Sequence, residues 1–240
     1  MIDLRTGYTL NRVDDSLHPY FLGLHTVNST SELTYIDEEF NIKSVSSDGK
    51  TKLFREREDA PWTPHCVYHS TITGDLLVGM CRYDRYIGKV NRYNKKGKIT
   101  QSIGNENDNL YKFPRYITEN VNRDVVVSDL KEHKGKIVVT DKSGRHRFSY
   151  TGPPSGSGLE PRGICTDVMS HILVCDAFTN TVQLLNSDGH FLSYLLTTRS
   201  PGMFKPRTLS FDLKGFFLLV GSESEANIRR ISVYDYITRS

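Results

Sequence analysis

Short apolar runs alternate with turn-forming residues along the chain. Between Pro161 and Leu196, four of them follow one another: Arg162–Asp167, His171–Asp176, Thr181–Leu185 and His190–Leu195. The runs are short and rich in apolar and β-branched residues, which is typical of strands rather than helices. Asp188-Gly189 precedes the last run and predicts a type I′ hairpin turn, which needs positive φ at both central residues. The stretch therefore predicts a four-stranded antiparallel meander.

The same order of strands recurs along the chain. Each repeat unit opens with a proline, and the five prolines are Pro19, Pro64, Pro114, Pro161 and Pro206, a spacing of 45–50 residues. In the first four units the third strand ends at a turn that contains a glycine. Because an isolated meander has two open edges and little core, the repetition predicts the blades of an all-β propeller. Unrelated hairpins in a sandwich are the alternative, which the matching prolines and turns disfavour.

Both ends of the chain are predicted to be incomplete blades. Met1–Arg5 and Tyr8–Val13 have the pattern of the third and fourth strands of a blade, and the last unit shows three strands ending with Arg229–Tyr236. We therefore expect one propeller domain over residues 1–240. Residues 1–18 would form a partial blade of a six-bladed parent fold that is truncated at its N-terminus.

Composition narrows the class of protein. The chain is 37% hydrophobic and 25% charged, with a net charge of +3, which is ordinary for a globular protein. Its apolar runs are far shorter than the roughly 18 residues that a membrane span needs. Met1–Arg5 lacks the basic and apolar segments of a secretory leader, so we expect a cytoplasmic protein with no membrane partner. The cysteines Cys66, Cys81, Cys165 and Cys175 form no CxxC pair, which predicts reduced thiols and no zinc site.

Three stretches carry a family resemblance. PRGICTDVMSHILVCDAFTNTVQLLNSDGHFL resembles an NHL repeat in its opening P-x-G-I, its strand ending in Asp176, its Asn180 and its Asp-Gly turn. FPRYITENVNRDVVVSD and the closing VYDY resemble the NHL region of tripartite-motif proteins. The resemblance implies a six-bladed NHL propeller at the C-terminus of a RING, B-box and coiled-coil ubiquitin ligase, where it recognises protein partners or, in several members, RNA. The chain contains no RING, B-box or coiled coil, so ligase activity would belong to other sequence.

The residue after each repeat proline is expected at the mouth of the central channel, because the first strand of each blade lines the axis. These residues are Tyr20, His65, Arg115, Arg162 and Arg207. Arginines and a histidine around one axis predict a ring that receives phosphate or carboxylate groups.

Ion pairing is an alternative role for two of these arginines. Asp129 and Asp176 each follow an arginine, Arg115 and Arg162, by fourteen residues. Ligand binding and ion pairing are therefore equally compatible with those two. Arg207 and His65 meet glycines (Gly221 and Gly79) at the matching position. They are predicted to be the better candidates for free ligand contacts.

The loops between second and third strands are expected on the same face. Basic residues alternate with tyrosines there: Arg82, Tyr83, Arg85, Tyr86 and Lys89 in unit two, and Lys131, His133, Lys134 and Lys136 in unit three. Such a pattern suits phosphates and stacked bases. The acidic Glu38, Glu39, Glu223 and Glu225 occupy the loops of units one and five, so the face is predicted to be polarised. For any single lysine, a solvated surface charge is the simpler interpretation.

These features predict a non-catalytic recognition module without a cofactor. No spacing indicates a Ser-His-Asp triad or paired carboxylates, and arginines at the channel mouth repel metal ions. A protein partner or ubiquitination substrate is the leading prediction for the ligand. RNA binding through the basic face is the alternative. It ranks below a protein partner because the face is not basic throughout.

Overall fold

The structure is a computed structural model that describes residues 23–57, 61–212, 216–223 and 229–236. Over these ranges the regular elements are all β-strands. They form five antiparallel sheets, each built from consecutive strands, which are the blades of a five-bladed β-propeller. The predicted all-β propeller is confirmed. None of the chain that the structure describes forms a helix of the length and hydrophobicity that crossing a bilayer requires.

Each blade is a meander. The first strands of successive blades lie side by side. The first blade contains β1 (His25–Val27), β2 (Leu33–Ile36), β3 (Ile42–Val45) and β4 (Thr51–Arg55). The second contains β5 (Thr63–His69), β6 (Leu76–Arg82), β7 (Ile87–Tyr93) and β8 (Ile99–Ile103). The third contains β9 (Pro114–Glu119), β10 (Val125–Lys131), β11 (Lys134–Thr140) and β12 (His146–Tyr150).

The fourth blade contains β13 (Pro161–Thr166), β14 (Ile172–Asp176), β15 (Thr181–Leu185) and β16 (Phe191–Leu196). The fifth has three described strands, β17 (Pro206–Asp212), β18 (Phe217–Glu223) and β19 (Arg229–Asp235). Four of the five repeat prolines lie in the first strands β5, β9, β13 and β17, as the repeat pattern predicts. The fifth proline, Pro19, and the predicted partial blade at residues 1–18 lie outside the described residues.

The hydrophobic core lies between successive blades. The second strands β6, β10 and β14 are apolar on both faces, because each is covered by a neighbouring blade on either side. In β10, Val125 and Val127 join the cluster shared with the second blade, whereas Val126 joins the cluster shared with the fourth. In β14, Ile172 packs toward the third blade and Leu173 toward the fifth. This alternation explains why these runs are the most hydrophobic of each repeat.

The first strands pack closely against one another. A Cβ atom built on Gly163 of β13 would lie 2.6 Å from the Cα atom of Thr208 in β17. Any side chain there would force the fourth and fifth blades apart, which gives the glycine of the P-x-G pattern a structural reason. The first strands are thereby held near the axis.

The Asp188-Gly189 turn differs from the type I′ turn that the sequence predicts. Gly189 has a φ of 84°, but Asp188 is not in the left-handed region. The backbone nitrogen of Gly189 donates to the carbonyl oxygen of Asn186, and the Asn186 side-chain oxygen accepts from the backbone nitrogens of Asp188 and His190. The asparagine side chain thus organises a wider turn with one left-handed residue.

A pair of leucines tests the inter-blade packing. We expect Leu173→Ala to lower the free energy of unfolding by about 2–5 kcal/mol, because the truncation leaves a cavity between the fourth and fifth blades. Leu192→Ala is the matched control: Leu192 is 48% exposed on β16, so its loss should fall within about 0.5 kcal/mol. Urea unfolding measures both. Equal losses for the two variants would contradict the inter-blade core.

Candidate active site

Four of the predicted channel residues occupy the same position in successive first strands. His65 in β5, Arg115 in β9, Arg162 in β13 and Arg207 in β17 each follow the repeat proline. Tyr20 lies outside the described residues.

The arginines are close enough to influence one another. Burial lowers the pKa of the Arg115 guanidinium, and the charge of Arg162 lowers it further. Burial raises the pKa of the Tyr116 hydroxyl, while the charges of Arg162 and Arg207 both act to lower it. The fold therefore brings three cationic side chains from successive blades to one end of the channel.

Asp129 and Asp176 hold the backbone that enters the first strands. Asp129 accepts hydrogen bonds from the backbone nitrogens of Lys112 (2.9 Å) and Phe113 (2.6 Å). Asp176 accepts from the backbone nitrogen of Glu160 (3.0 Å), and also from Phe178, Thr179 and Gln183. The described hydrogen bonds of these buried carboxylates therefore fix the segment before the repeat proline.

Arg162 and Arg207 pair with other carboxylates. Arg162 binds Glu160, which is mostly buried and also lies 3.2 Å from His133. The Nε atom of Arg162 is buried and has no hydrogen-bond partner among the described residues. Arg207 binds Glu223 (Nε to Oε2, 2.8 Å). The expectation that Arg207 lacks an acidic partner is wrong. It compared Arg207 with Gly221, but the register shifts in this blade, and Pro206 pairs with Ser222. The acidic partner is therefore the next residue, Glu223.

His65 is fully buried and joins an aromatic cluster. Its Nε2 atom forms a 2.6 Å hydrogen bond with the Tyr83 hydroxyl. Phe113 stacks on the His65 ring with centroids 6.0 Å apart, and the Arg115 guanidinium carbon lies 5.4 Å from the Phe113 centroid. The prediction that His65 is open to a ligand is therefore wrong. Tyr83, which is 46% exposed, is the group of this pair that a substrate can reach.

Most of the basic loop residues predicted for the second and third blades contact other groups of the protein. Glu106 accepts from Arg82 (2.6 Å) and Arg85 (2.7 Å), which ties the β6–β7 hairpin to the loop after β8. Lys89 lies 4.1 Å from the Trp62 ring centroid. Burial lowers the pKa of its ammonium group, which Glu106 partly opposes. These contacts neutralise much of the predicted basic patch.

The third-blade lysines differ in their surroundings. Lys131 lies 4.4 Å from the Tyr86 ring centroid, and Lys136 donates to the carbonyl oxygen of Leu110 (3.0 Å). Lys134, at the start of β11, is exposed. The structure thus places Lys131 beside the aromatic cluster, whereas Lys134 remains on the surface of the hairpin.

Comparison with known proteins relates the fold to enzymes. No protein-family model and no curated protein matches the chain. A streptogramin B lyase structure superposes with a TM-score of 0.62 and 18% identity over 94% of this chain and 73% of that one. A putative gluconolactonase gives 0.64 and 14% over 91% and 76%, and regucalcin, a calcium-binding protein from Agrobacterium tumefaciens, gives 0.59 and 15% over 84% and 68%. At these identities the likeness shows the fold alone.

These comparisons correct two predictions. The assignment to the tripartite-motif NHL family finds no support, since the neighbours belong to the lyase, gluconolactonase and regucalcin propellers. The prediction of a non-catalytic recognition module, for protein or RNA, is contradicted because these neighbours include enzymes. Residue spacing gives little information on catalysis in this fold. A propeller assembles its site from several blades, so the groups that act together are not at characteristic distances in sequence.

The residues present do not fit a calcium ion of the kind that regucalcin binds. Among the described residues, no three His, Cys, Asp or Glu side chains converge as metal ligands. At the channel mouth the nearby side chains include Arg115, Arg162 and Arg207, and guanidinium groups are donors that repel a cation. The described side chains at this end of the first strands therefore offer cations and hydrogen-bond donors rather than a ligand set for a metal ion.

The repeat pattern does not predict the contacts of three side chains that define the site. Glu160 and Glu223 neutralise arginines, and Phe113 connects His65, Tyr83 and Arg115. Phe113 and Glu160 both directly precede a repeat proline, a position that the repeat alignment itself could have marked.

Asp176 provides a test of how the site is held. We expect Asp176→Asn to lower the free energy of unfolding by roughly 1–3 kcal/mol, because an amide places donors opposite the donors that surround this buried carboxylate. Asp188→Asn is the matched control, since the Asp188 side chain is 61% exposed and pairs only with the partly exposed Arg147. Its expected loss is below about 1 kcal/mol. Chemical denaturation measures both, and a smaller loss at Asp176 than at Asp188 would exclude the capping role.

Proposed function

We propose that the chain is an enzyme that hydrolyses a lactone or a similarly activated ester at the mouth of its channel. The observation that carries the proposal is the hydrogen bond between buried His65 and half-exposed Tyr83, beside the cationic Arg115. The enzyme neighbours, among them a lyase and a putative gluconolactonase, support a catalytic use of this fold.

Tyr83 is suited to donate a proton. Burial raises the pKa of its hydroxyl to about 12, with Cys81 adding to the rise and the charge of Arg115 opposing it. The hydroxyl therefore stays protonated at neutral pH. His65 touches no solvent and acts as a positioning residue, because its hydrogen bond fixes the direction of the Tyr83 hydroxyl.

The nearby thiols are unsuitable nucleophiles. Burial raises the pKa of both Cys66 and Cys81 to about 12, so neither is a thiolate at neutral pH. Water is then the nucleophile. Such a reaction favours a lactone, whose carbonyl carbon is already electrophilic and whose leaving group is an oxygen that needs a proton.

The reaction follows from these roles. Water attacks the carbonyl carbon, and Arg115 stabilises the negative charge that develops on the carbonyl oxygen. The bond from the carbonyl carbon to the ring oxygen then breaks, and Tyr83 transfers its proton to the leaving oxygen. The proton released by the attacking water restores Tyr83. The product is a hydroxy acid, whose carboxylate forms beside the cationic Arg115.

Substitution of Tyr83 tests the proposal. With δ-gluconolactone, γ-butyrolactone and dihydrocoumarin as substrates, we expect the full chain to accelerate opening of at least one lactone. Tyr83→Phe should lower kcat by about 10²–10⁴-fold, since it removes only the proton donor. Acid release in a weakly buffered indicator assay measures the rate.

Tyr194→Phe is the matched control, because Tyr194 is 41% exposed on β16 and outside the site. It should retain the full rate. Two results would refute the proposal: no acceleration of any of the three lactones by the folded wild-type chain, or a Tyr83→Phe variant as active as Tyr194→Phe.

A further inference from the structure

Two half-exposed tyrosines pack against one buried phenylalanine beside the proposed proton donor. The ring centroid of Phe113 lies 5.8 Å from that of Tyr83 and 5.9 Å from that of Tyr86. Phe113 is buried, whereas Tyr86 is 51% exposed and Tyr83 only slightly less so. We call these three side chains the aromatic wall.

Tyr86 occupies a strained backbone position. Its φ is 53°, in the left-handed region that a bulky side chain rarely adopts. The β14–β15 hairpin of the fourth blade has a loop of the same length, because Arg82 pairs with Ile87 and Asp176 with Thr181. The matching residue there is Asn180, with a φ of 54°. Asparagine tolerates this conformation better than tyrosine does, so the tyrosine at position 86 lowers the stability of the fold.

The hairpin that carries Tyr83 and Tyr86 is held in place. Glu106 accepts hydrogen bonds from Arg82 and Arg85, which lie on either side of Tyr83. Rings that are fixed before a ligand arrives lose little freedom on binding it. The Glu106 contacts therefore hold an ordered aromatic surface beside the site.

Cations border the wall. The Lys131 ammonium lies 4.4 Å from the Tyr86 centroid, and the Arg115 guanidinium carbon 5.4 Å from the Phe113 centroid. A ligand that stacks a flat ring on the tyrosines can thus direct an anionic group toward a lysine or an arginine. An alicyclic acid of the same size would gain the charge interaction and apolar burial but not the ring stacking.

We propose that Tyr83 and Tyr86, which pack on Phe113 and are bordered by Arg115 and Lys131, bind the aromatic ring of a substrate whose carbonyl group becomes a carboxylate. This inference rests on the proposed function and adds the substrate class, an aromatic lactone or ester. The aromatic carboxylate product binds at the same place.

Equilibrium binding of two carboxylates tests the subsite without turnover. Benzoate and cyclohexanecarboxylate have the same charge and similar size but differ in aromaticity. Titrations of the full chain followed by NMR give both dissociation constants. We expect benzoate to bind about tenfold more tightly. Equal dissociation constants, or no benzoate binding up to its solubility, would overturn the subsite.

Variants locate the binding. Tyr86→Asn copies the residue of the fourth-blade hairpin, so the fold should be retained, and the benzoate preference should fall by about tenfold. Tyr86→Phe keeps the ring and should keep the preference. Phe178→Ala is the control, because Phe178 is a 61% exposed ring in the matching hairpin. A preference that survives Tyr86→Asn, or disappears equally in Phe178→Ala, would overturn the assignment.

The two proposals fail separately. Lactone opening without a preference for benzoate supports the proposed function and overturns the aromatic subsite. A benzoate preference that depends on Tyr86, in a chain that opens no lactone, establishes an aromatic acid site and removes the proposed function.

Discussion

Packing between blades is the constraint on which the rest of the structure depends. The second strands β6, β10 and β14 are apolar on both faces, so any of these blades on its own would expose two apolar faces to water. Burial of both faces drives successive blades together and places their first strands side by side. Close contact at Gly163 and Thr208 shows how little space separates these strands. The positions after Pro64, Pro114, Pro161 and Pro206 thereby lie at the same end of neighbouring first strands.

The packing determines which charged side chains meet at the site. Crowding arginines is unfavourable, and carboxylates relieve it where they are available: Glu160 beside Arg162 and Glu223 beside Arg207. Arg115 lies against the ring of Phe113 and near the hydroxyl of Tyr83. The cations are thus partly neutralised on one side of the mouth and set against aromatic rings on the other. An oxyanion or a carboxylate is the ligand that such a surface favours.

Two buried aspartates stabilise the backbone at the start of the first strands and are not the partners of the site arginines. Asp129 and Asp176 accept hydrogen bonds from backbone N–H groups in the segments before the first strands. The same contact recurs because each of these segments enters a first strand at a proline. A carboxylate that accepts several backbone hydrogen bonds is satisfied without a cation. The arginines that follow the prolines therefore remain near the channel mouth rather than folding back onto these aspartates.

The repeats, the strand order and the blade architecture could all be predicted from the sequence. Prolines, glycine turns and doubly apolar strands are local consequences of a fold that repeats one unit. Residue spacing also located His65, Arg115, Arg162 and Arg207 at one end of the first strands. Their partners could not be predicted. The hydrogen bond from His65 to Tyr83, the pairing of Arg207 with Glu223 and the gathering of rings around Phe113 depend on register shifts and on contacts between blades. Sequence determines which strands form and how they alternate, because those preferences are local. Only the tertiary structure decides which side chains meet, because these contacts join residues whose distance along the chain follows no fixed spacing.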